Sequence, residues 1–235
     1  MTREELNNYI DNCILLDEIV SENSEIYRTI HDNCSDSTPF LLENLLGSVY
    51  IDGLYVKRDQ EGYIHLVYYD GEYETLDLGD CIDAIDVNAF MPNILLLPID
   101  GIDEVEVYHR KRMQLVSVSG ISVTSIATRA FQASSVREIN FPNVSKIGYQ
   151  CFRKSKVENI TFNELKVLPM HAFLDSSLKH FEGKKVSCVL RGAFQACHNL
   201  THVYLPSAEF IEESAFWDCE SLQVDNRIVK EGATW

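Results

Sequence analysis

The feature that most constrains this sequence is a period of about 21 residues in its second half. A small residue followed by Phe recurs there, with spacings of 21, 21, 21 and 22 residues, at Phe131, Phe152, Phe173, Phe194 and Phe216. Another such pair, Ala89-Phe90, lies 41 residues before Phe131, which is about two periods. A unit this short cannot bury a core alone, so the pattern predicts stacked coils that share one continuous core.

Three apolar columns follow the same period. One lies five residues before each Phe position and comprises Ile85, Val105, Ile126, Ile147, Leu168, Val189 and Ile211. A second lies eight residues earlier, with one extra residue in the first unit, and comprises Leu76, Leu97, Val118, Ile139, Ile160, Phe181 and Val203. The third precedes the second by three residues and comprises Tyr73, Ile94, Leu115, Val136, Val157, Leu178 and Leu200. The columns continue through a degraded unit with His109-Arg110 in the Ala-Phe position, so we predict about seven repeats of 21–22 residues.

The most regular unit, from Leu200 to Cys219, resembles the BspA-like class of leucine-rich repeat, whose pattern is roughly LxxLxLPxxLxxIxxxAFxxC. The resemblance extends over roughly two-thirds of the chain. It implies an α/β leucine-rich-repeat solenoid with a parallel sheet on one face. Members of this family look like bacterial and protist surface adhesins or interaction proteins, so the resemblance also implies a non-enzymatic binding scaffold.

The register of the repeat identifies the side chains that face outward from the predicted sheet, because neighbours of an inward residue on a strand point to the other face. We expect partner contacts at Glu138, Asn140, Asn159, Thr161, His180, Glu182, His202 and Tyr204. His180 and His202 lie one strand apart in the same row, where they could bind a metal ion or titrate as a pair. A flat sheet offers no closed coordination sphere, so we predict a polar protein-binding patch and no metal site.

The single Trp within the repeats, Trp217, directly follows the last Phe. We expect it on the outer rim of the final coil, where it either packs on the C-terminal tail or anchors a partner.

The chain before the repeats divides into two segments with different sequence patterns. Residues 1–47 are predicted to be a helical region with three short helices, the first beginning at a capping box, Thr2-x-x-Glu5. Residues 48–72 carry hairpin signals such as Asp52-Gly53 and are predicted to form a β-hairpin cap. The repeats then occupy 73–222, and 223–235 form a C-terminal cap or tail. Either the first 70 residues only cover the first coil, or they form a separate docking domain.

Charge limits the partners. The formal net charge is -16, and residues 1–70 hold 14 acidic against 4 basic side chains. Such a surface lacks the attraction to phosphate backbones on which nonspecific nucleic-acid binding depends, so we predict a protein partner, basic if it docks on the acidic N-terminal region. The sequence also holds no apolar run long enough for a membrane span.

The sequence contains no P-loop, G-x-G-x-x-G, H-E-x-x-H or G-x-S-x-G signature, so we predict no enzyme, no catalytic residues and no cofactor. The polar N-terminal segment does not resemble a signal peptide, and the seven cysteines do not resemble a disulfide framework. We therefore expect a cytoplasmic location, with surface or particle association by another route as the alternative. The predicted function is protein–protein interaction, and the alternatives are a carbohydrate-binding adhesin of a host-associated microbe or a structural component of a larger bacterial or viral assembly.

Overall fold

The computed structural model describes residues 1–25, 27–28, 43–90, 114–222 and 227–229. Within these residues, none of the helices has the length and apolar content needed to cross a membrane. The other two short helices are predicted over 24–31 and from Thr38 to Leu46, and about half of each range lies outside the described residues, as does most of the C-terminal tail.

Helix α1, Arg3–Leu15, begins at the predicted capping box. The Thr2 side chain accepts a hydrogen bond from the Glu5 backbone N–H, and the Thr2 backbone N–H donates to the Glu5 carboxylate. The apolar face of the helix buries Leu6, Ile10 and Cys13 in the same hydrophobic core as the coils. Packing against that core, more than local propensity, stabilises so short a helix.

Two hairpins follow, made of β1 (Val49–Ile51), β2 (Leu54–Arg58) and β3 (Ile64–Tyr69), paired antiparallel in sequence order. The β1–β2 turn has positive φ at both central residues, 48° at Asp52 and 83° at Gly53. These angles match the twist of the flanking strands, as the Asp-Gly signal predicts.

The coils contribute thirteen described strands. In chain order, β4 to β16 are Thr75–Asp77, Ala84–Ile85, Ser117–Ser119, Ser125–Ile126, Glu138–Asn140, Lys146–Ile147, Asn159–Phe162, Val167–Leu168, His180–Gly183, Cys188–Val189, His202–Leu205, Phe210–Ile211 and Arg227–Val229.

The first strand of each coil joins one parallel sheet of seven strands, in the order β16-β14-β12-β10-β8-β6-β4, which we call the front sheet. The second strand of each coil belongs to a second layer, in which β5, β7 and β9 continue the hairpin sheet and β11, β13 and β15 form a sheet of their own. Since β3 pairs parallel with β5, the hairpins lie against the edge of the first coil, as a cap must. The final strand, β16, extends the front sheet beyond β14.

The solenoid fold is confirmed, and the described residues form six coils where about seven were predicted. Strand β4 pairs directly with β6, and β5 pairs directly with β7. The first coil, residues 75–90, therefore stacks on the coil that begins at β6, and the described chain forms six successive coils. The predicted repeat with Leu97, Val105 and His109-Arg110 lies outside the described residues.

The repeated Phe residues form a ladder of rings through the core. Neighbouring ring centroids are 4.6 to 5.5 Å apart and the planes are within 3–15° of parallel, along Phe90, Phe131, Phe152, Phe173, Phe194 and Phe216. Each stacked pair adds about 0.5–1.5 kcal/mol to the stabilisation from burial.

The residue before each ladder Phe is small because the backbones of two neighbouring coils meet there. The Phe173 N–H, for example, donates to the Ala193 carbonyl of the next coil over 2.7 Å. These segments are turns in the described coils, so the described helices lie in the N-terminal region.

Candidate functional site: the outer surface of the front sheet

The predicted outward side chains form two rows across the front sheet. Pairing places Asn159 opposite His180 and His180 opposite His202, while Thr161, Glu182 and Tyr204 form the parallel row. The inward residues between them, such as Phe181 and Val203, are buried. All eight predicted residues lie on this outer surface, which we call the front patch: Glu138, Asn140, Asn159, Thr161, His180, Glu182, His202 and Tyr204.

The C-terminal half of the front patch surrounds a shallow depression of about 240 Å³. The rings of His180 and His202 lie 4.9 Å apart and tilted by 32° at its wall. Tyr204, 38% exposed, contributes an aromatic surface. The depression therefore combines aromatic, imidazole and carboxylate groups that the core does not need.

Hydrogen bonds orient the polar groups of the depression. His180 Nδ1 lies 2.7 Å from Asn159 Oδ1, an arrangement in which the imidazole N–H donates to the amide oxygen. His202 Nδ1 lies 3.0 Å from Thr201 Oγ1. The Glu182 carboxylate faces Lys184 Nζ at 3.5 Å. These contacts turn the two imidazoles and the carboxylate to separate neighbours, so the three side chains do not form a coordination sphere.

A ladder of ion pairs borders the front patch on the side where the strands begin. The Glu158 carboxylate accepts hydrogen bonds from Lys179, at 2.7 Å, and from Arg137, at 2.9 Å. The hydrogen bond from Lys179 is the largest cause of a lowered pKa at Glu158. Since the three residues belong to successive coils, the ladder holds the strands in register beside the patch.

Cys197 and Cys219 are buried in the core of the last coils. Cys197 and Cys219 donate their thiol protons to the carbonyls of Phe173 and Phe194, each over 3.0 Å. Burial raises the pKa of Cys197 to about 12, so this thiol stays protonated at neutral pH. The sequence neighbours Cys197 and His198 diverge, the first buried and the second exposed, and they form no catalytic pair.

Trp217 lies on the surface of the last coil with 64% of its area exposed. Most of the tail on which it could pack lies outside the described residues, so the choice between packing on the tail and anchoring a partner stays a prediction.

One cluster was missed by the sequence analysis. His198, Asp218 and Glu220 each offer a ligand atom, and these atoms lie within 4.8 Å of one another. The repeat register contains the signal, because His198 and Glu220 both follow a ladder Phe by four residues and lie on adjacent coils. Among the described residues, this is the one group of three potential metal ligands that converges.

Comparison with known proteins agrees with the geometry. The model of the BspA type leucine rich repeat region matches residues 104–223 in six copies, which is half of the chain. No curated protein is a significant match to the chain.

Two solved structures resemble parts of it. A leucine rich cell surface protein from Faecalibacterium prausnitzii A2-165 is 23% identical over 75% of this chain and 38% of its own, with a TM-score of 0.48. A leucine-rich repeat protein from Eubacterium ventriosum ATCC 27560 is 16% identical over 70% of this chain and 43% of its own, with a TM-score of 0.38. This chain thus spans less than half the length of either solved protein. From its repeat pattern, its stacked coils and the matching family model, the chain belongs to the BspA-type leucine-rich repeat family.

Proposed function

We propose that this protein is a non-enzymatic scaffold that binds another protein through the front patch. The observation that carries the proposal is the depression at the C-terminal half of the patch, where Tyr204 lies beside two imidazoles on a rigid sheet. Leucine-rich repeats are scaffolds whose function lies in exposed side chains. Tyr is enriched among the residues that dominate binding energy at protein interfaces.

Charge favours a neutral or basic partner surface. Glu138 and Glu182 lie on the patch, and the chain carries a formal net charge of -16. A basic partner would be steered toward such a protein, whereas nucleic acid would be repelled. The acidic N-terminal region is a second candidate surface for the same partner.

The test begins with affinity purification from source cells and identification of the proteins that co-purify. The affinity of the purified pair is then measured for the wild type and for the triple variant His180→Ala/His202→Ala/Tyr204→Ala. We expect at least about a tenfold loss of affinity. The melting temperature should change little because the three side chains are exposed.

The matched control is Lys146→Ala/Lys166→Ala, which alters two exposed residues away from the front sheet. It should bind like the wild type. If the triple variant also keeps wild-type affinity, the front patch is not the binding site, and variants of the N-terminal region and of Trp217 come next.

A carbohydrate ligand is the second candidate, favoured by one observation. Tyr204 presents an exposed ring next to Glu182, which is followed in the same row by Thr161. A sugar ring could stack on the Tyr204 ring and form hydrogen bonds with these polar side chains. A glycan array with the wild type and the same triple variant distinguishes this candidate from a protein partner. The third candidate is a component of a larger assembly, and co-purification with other proteins at fixed stoichiometry would support it.

The cytoplasmic location stays a prediction from the sequence. Fractionation of source cells would test it against a surface or particle-associated location.

A further inference from the structure

The turns that end the fifth and sixth coils bring three metal-ligating side chains together at the surface, next to Trp217. We propose that His198, Asp218 and Glu220 bind a divalent first-row transition-metal ion of the zinc type, which ties the last coil to the one before it. This site is separate from the front patch and from the proposed protein binding. It was not expected from the sequence, which predicted no metal site.

Backbone contacts hold the two turns together. The Ala196 N–H donates to the Trp217 carbonyl over 2.9 Å, and Ser221 Oγ donates to the His198 carbonyl over 2.5 Å. These bonds lie on either side of the ligands, so little backbone order remains to be gained when an ion binds. Such preorganisation reduces the entropic cost of binding.

Two buried cysteines fix the same turns to the core. Cys197 directly precedes His198, and Cys219 lies between Asp218 and Glu220. Both thiols are hydrogen bonded in the core, while the three ligand residues are exposed. The inward cysteines therefore leave the imidazole and both carboxylates on the solvent side of the turns.

The repeat itself does not call for these ligands. At the position of His198, four residues after the ladder Phe, the earlier described coils have Ser135, Lys156 and Ser177. At the position of Asp218, two residues after Phe, they have Ala133, Lys154, Asp175 and Ala196. Packing tolerates many residue types at both positions, so the repeat does not require the set of three ligands found in the last pair of coils.

The ligand set selects the class of ion. Imidazole nitrogen suits zinc and its neighbours, whereas Mg²⁺ and Ca²⁺ prefer all-oxygen sites. Zinc bonds of about 2.1 Å place tetrahedral ligand atoms about 3.4 Å apart. In the structure the three ligand atoms lie within 4.8 Å of one another. Because the side chains are exposed, rotation can bring these atoms to the shorter separation, and water would complete the coordination. A bound dication also offsets the repulsion between the two carboxylates.

The experiment is titration calorimetry of the full chain, stripped of metal, with zinc chloride. We expect one equivalent of zinc to bind with a dissociation constant below about 100 μM. His198→Ala, Asp218→Asn and Glu220→Gln should each weaken binding at least about tenfold, since even indirect supports of metal ligands have effects of this size. Asn tolerates the positive φ at residue 218, 62°, so that variant changes the ligand and keeps the backbone.

The matched control is His180→Ala/His202→Ala, which removes the other close pair of imidazoles and should leave zinc binding unchanged. Zinc should also raise the melting temperature of the wild type and of this control, but not that of His198→Ala. Magnesium and calcium chloride should give no comparable heat. The proposal is overturned if zinc does not saturate the wild type below about 1 mM, if His198→Ala binds zinc like the wild type, or if the control variant loses binding.

Discussion

Two residues in each of the four middle coils have a left-handed backbone, one two positions before the ladder Phe and one two positions after it. The positions after Phe have φ between 55° and 62° and are occupied by Ala133, Lys154, Asp175, Ala196 and Asp218. A non-glycine residue in this region costs about 1–2 kcal/mol. At the position two residues before Phe194, by contrast, the chain has Gly192, with a φ of 60°.

This contrast gives a paired prediction at the scale of single residues. Ala196→Gly should stabilise the protein by about 0.5–1 kcal/mol, because relief of left-handed strain exceeds the entropy that glycine loses on folding. Gly192→Ala should destabilise it, since the added Cβ would lie 2.6 Å from His171 Nδ1 at an unfavourable φ. Urea denaturation gives both free energies of unfolding. A less stable Ala196→Gly variant would contradict the argument.

At the scale of elements, the main contacts join helix α1 and the hairpins to the first coil. Arg3 of α1 donates to both carboxylate oxygens of Asp83, at 2.9 and 2.5 Å, and Asp83 also accepts the backbone N–H of Ile64 in β3. One carboxylate of the first coil thus holds both the helix and the hairpins. Strand β3 adds a second tie through His65, whose Nδ1 lies 2.8 Å from Asp86 and whose Nε2 lies 3.3 Å from Asp59.

The His65 contacts make the junction sensitive to pH. The hydrogen bond to Asp86 is the largest cause of a raised pKa at His65, and burial opposes it. The contribution of a group whose folded-state pKa is raised is complete below the unfolded pKa, about 6.5, and is lost as the pH rises through the folded value. His65→Gln should therefore destabilise the protein most below about pH 6.5 and progressively less as the pH rises.

Urea denaturation of wild type and His65→Gln from about pH 6 to pH 9 measures this difference. His202→Gln serves as the control, because its imidazole is exposed and its Nδ1 lies 3.0 Å from the neutral Thr201 hydroxyl. A His65→Gln effect that stays constant or grows with pH would contradict the prediction.

At the scale of the whole molecule, the number of coils depends on one insertion. Leu115 follows Phe90 by 25 residues, whereas Val136 follows Phe131 by five. The first connection is therefore longer by almost one period, and the apolar columns continue through it in register. Strand pairing shows that the coils on either side are direct neighbours.

We therefore expect a shortened chain to fold. Replacement of residues 91–114 by the four residues 132–135 gives the first connection the length of the second. Circular dichroism and thermal unfolding should show a cooperative solenoid of similar stability, because nearest-neighbour contacts between coils are kept. Deletion of residues 117–137, a coil with Phe131 in the ladder, is the comparison: it should also fold but with lower stability. Loss of folding in the first variant alone would mean that the replaced segment is part of the core.

Much of the front patch was predictable because its geometry is local. Once Val203 is assigned inward, the alternation of a strand places His202 and Tyr204 outward, and the period places His180 beside His202. The cap junction was not predictable in this way. Arg3 and Asp83 are 80 residues apart, and their contact depends on how the helix and hairpins lie on the first coil.

By itself, the sequence determined the repeat, its family, the inward and outward positions and the predicted binding surface, because each follows from a periodic pattern within one coil. Only the tertiary structure decided how many coils stack, how the cap is attached, and that His198 meets Asp218 and Glu220. The physical reason is that a period records what each residue does within its own coil, whereas these three features depend on which distant segments lie next to one another.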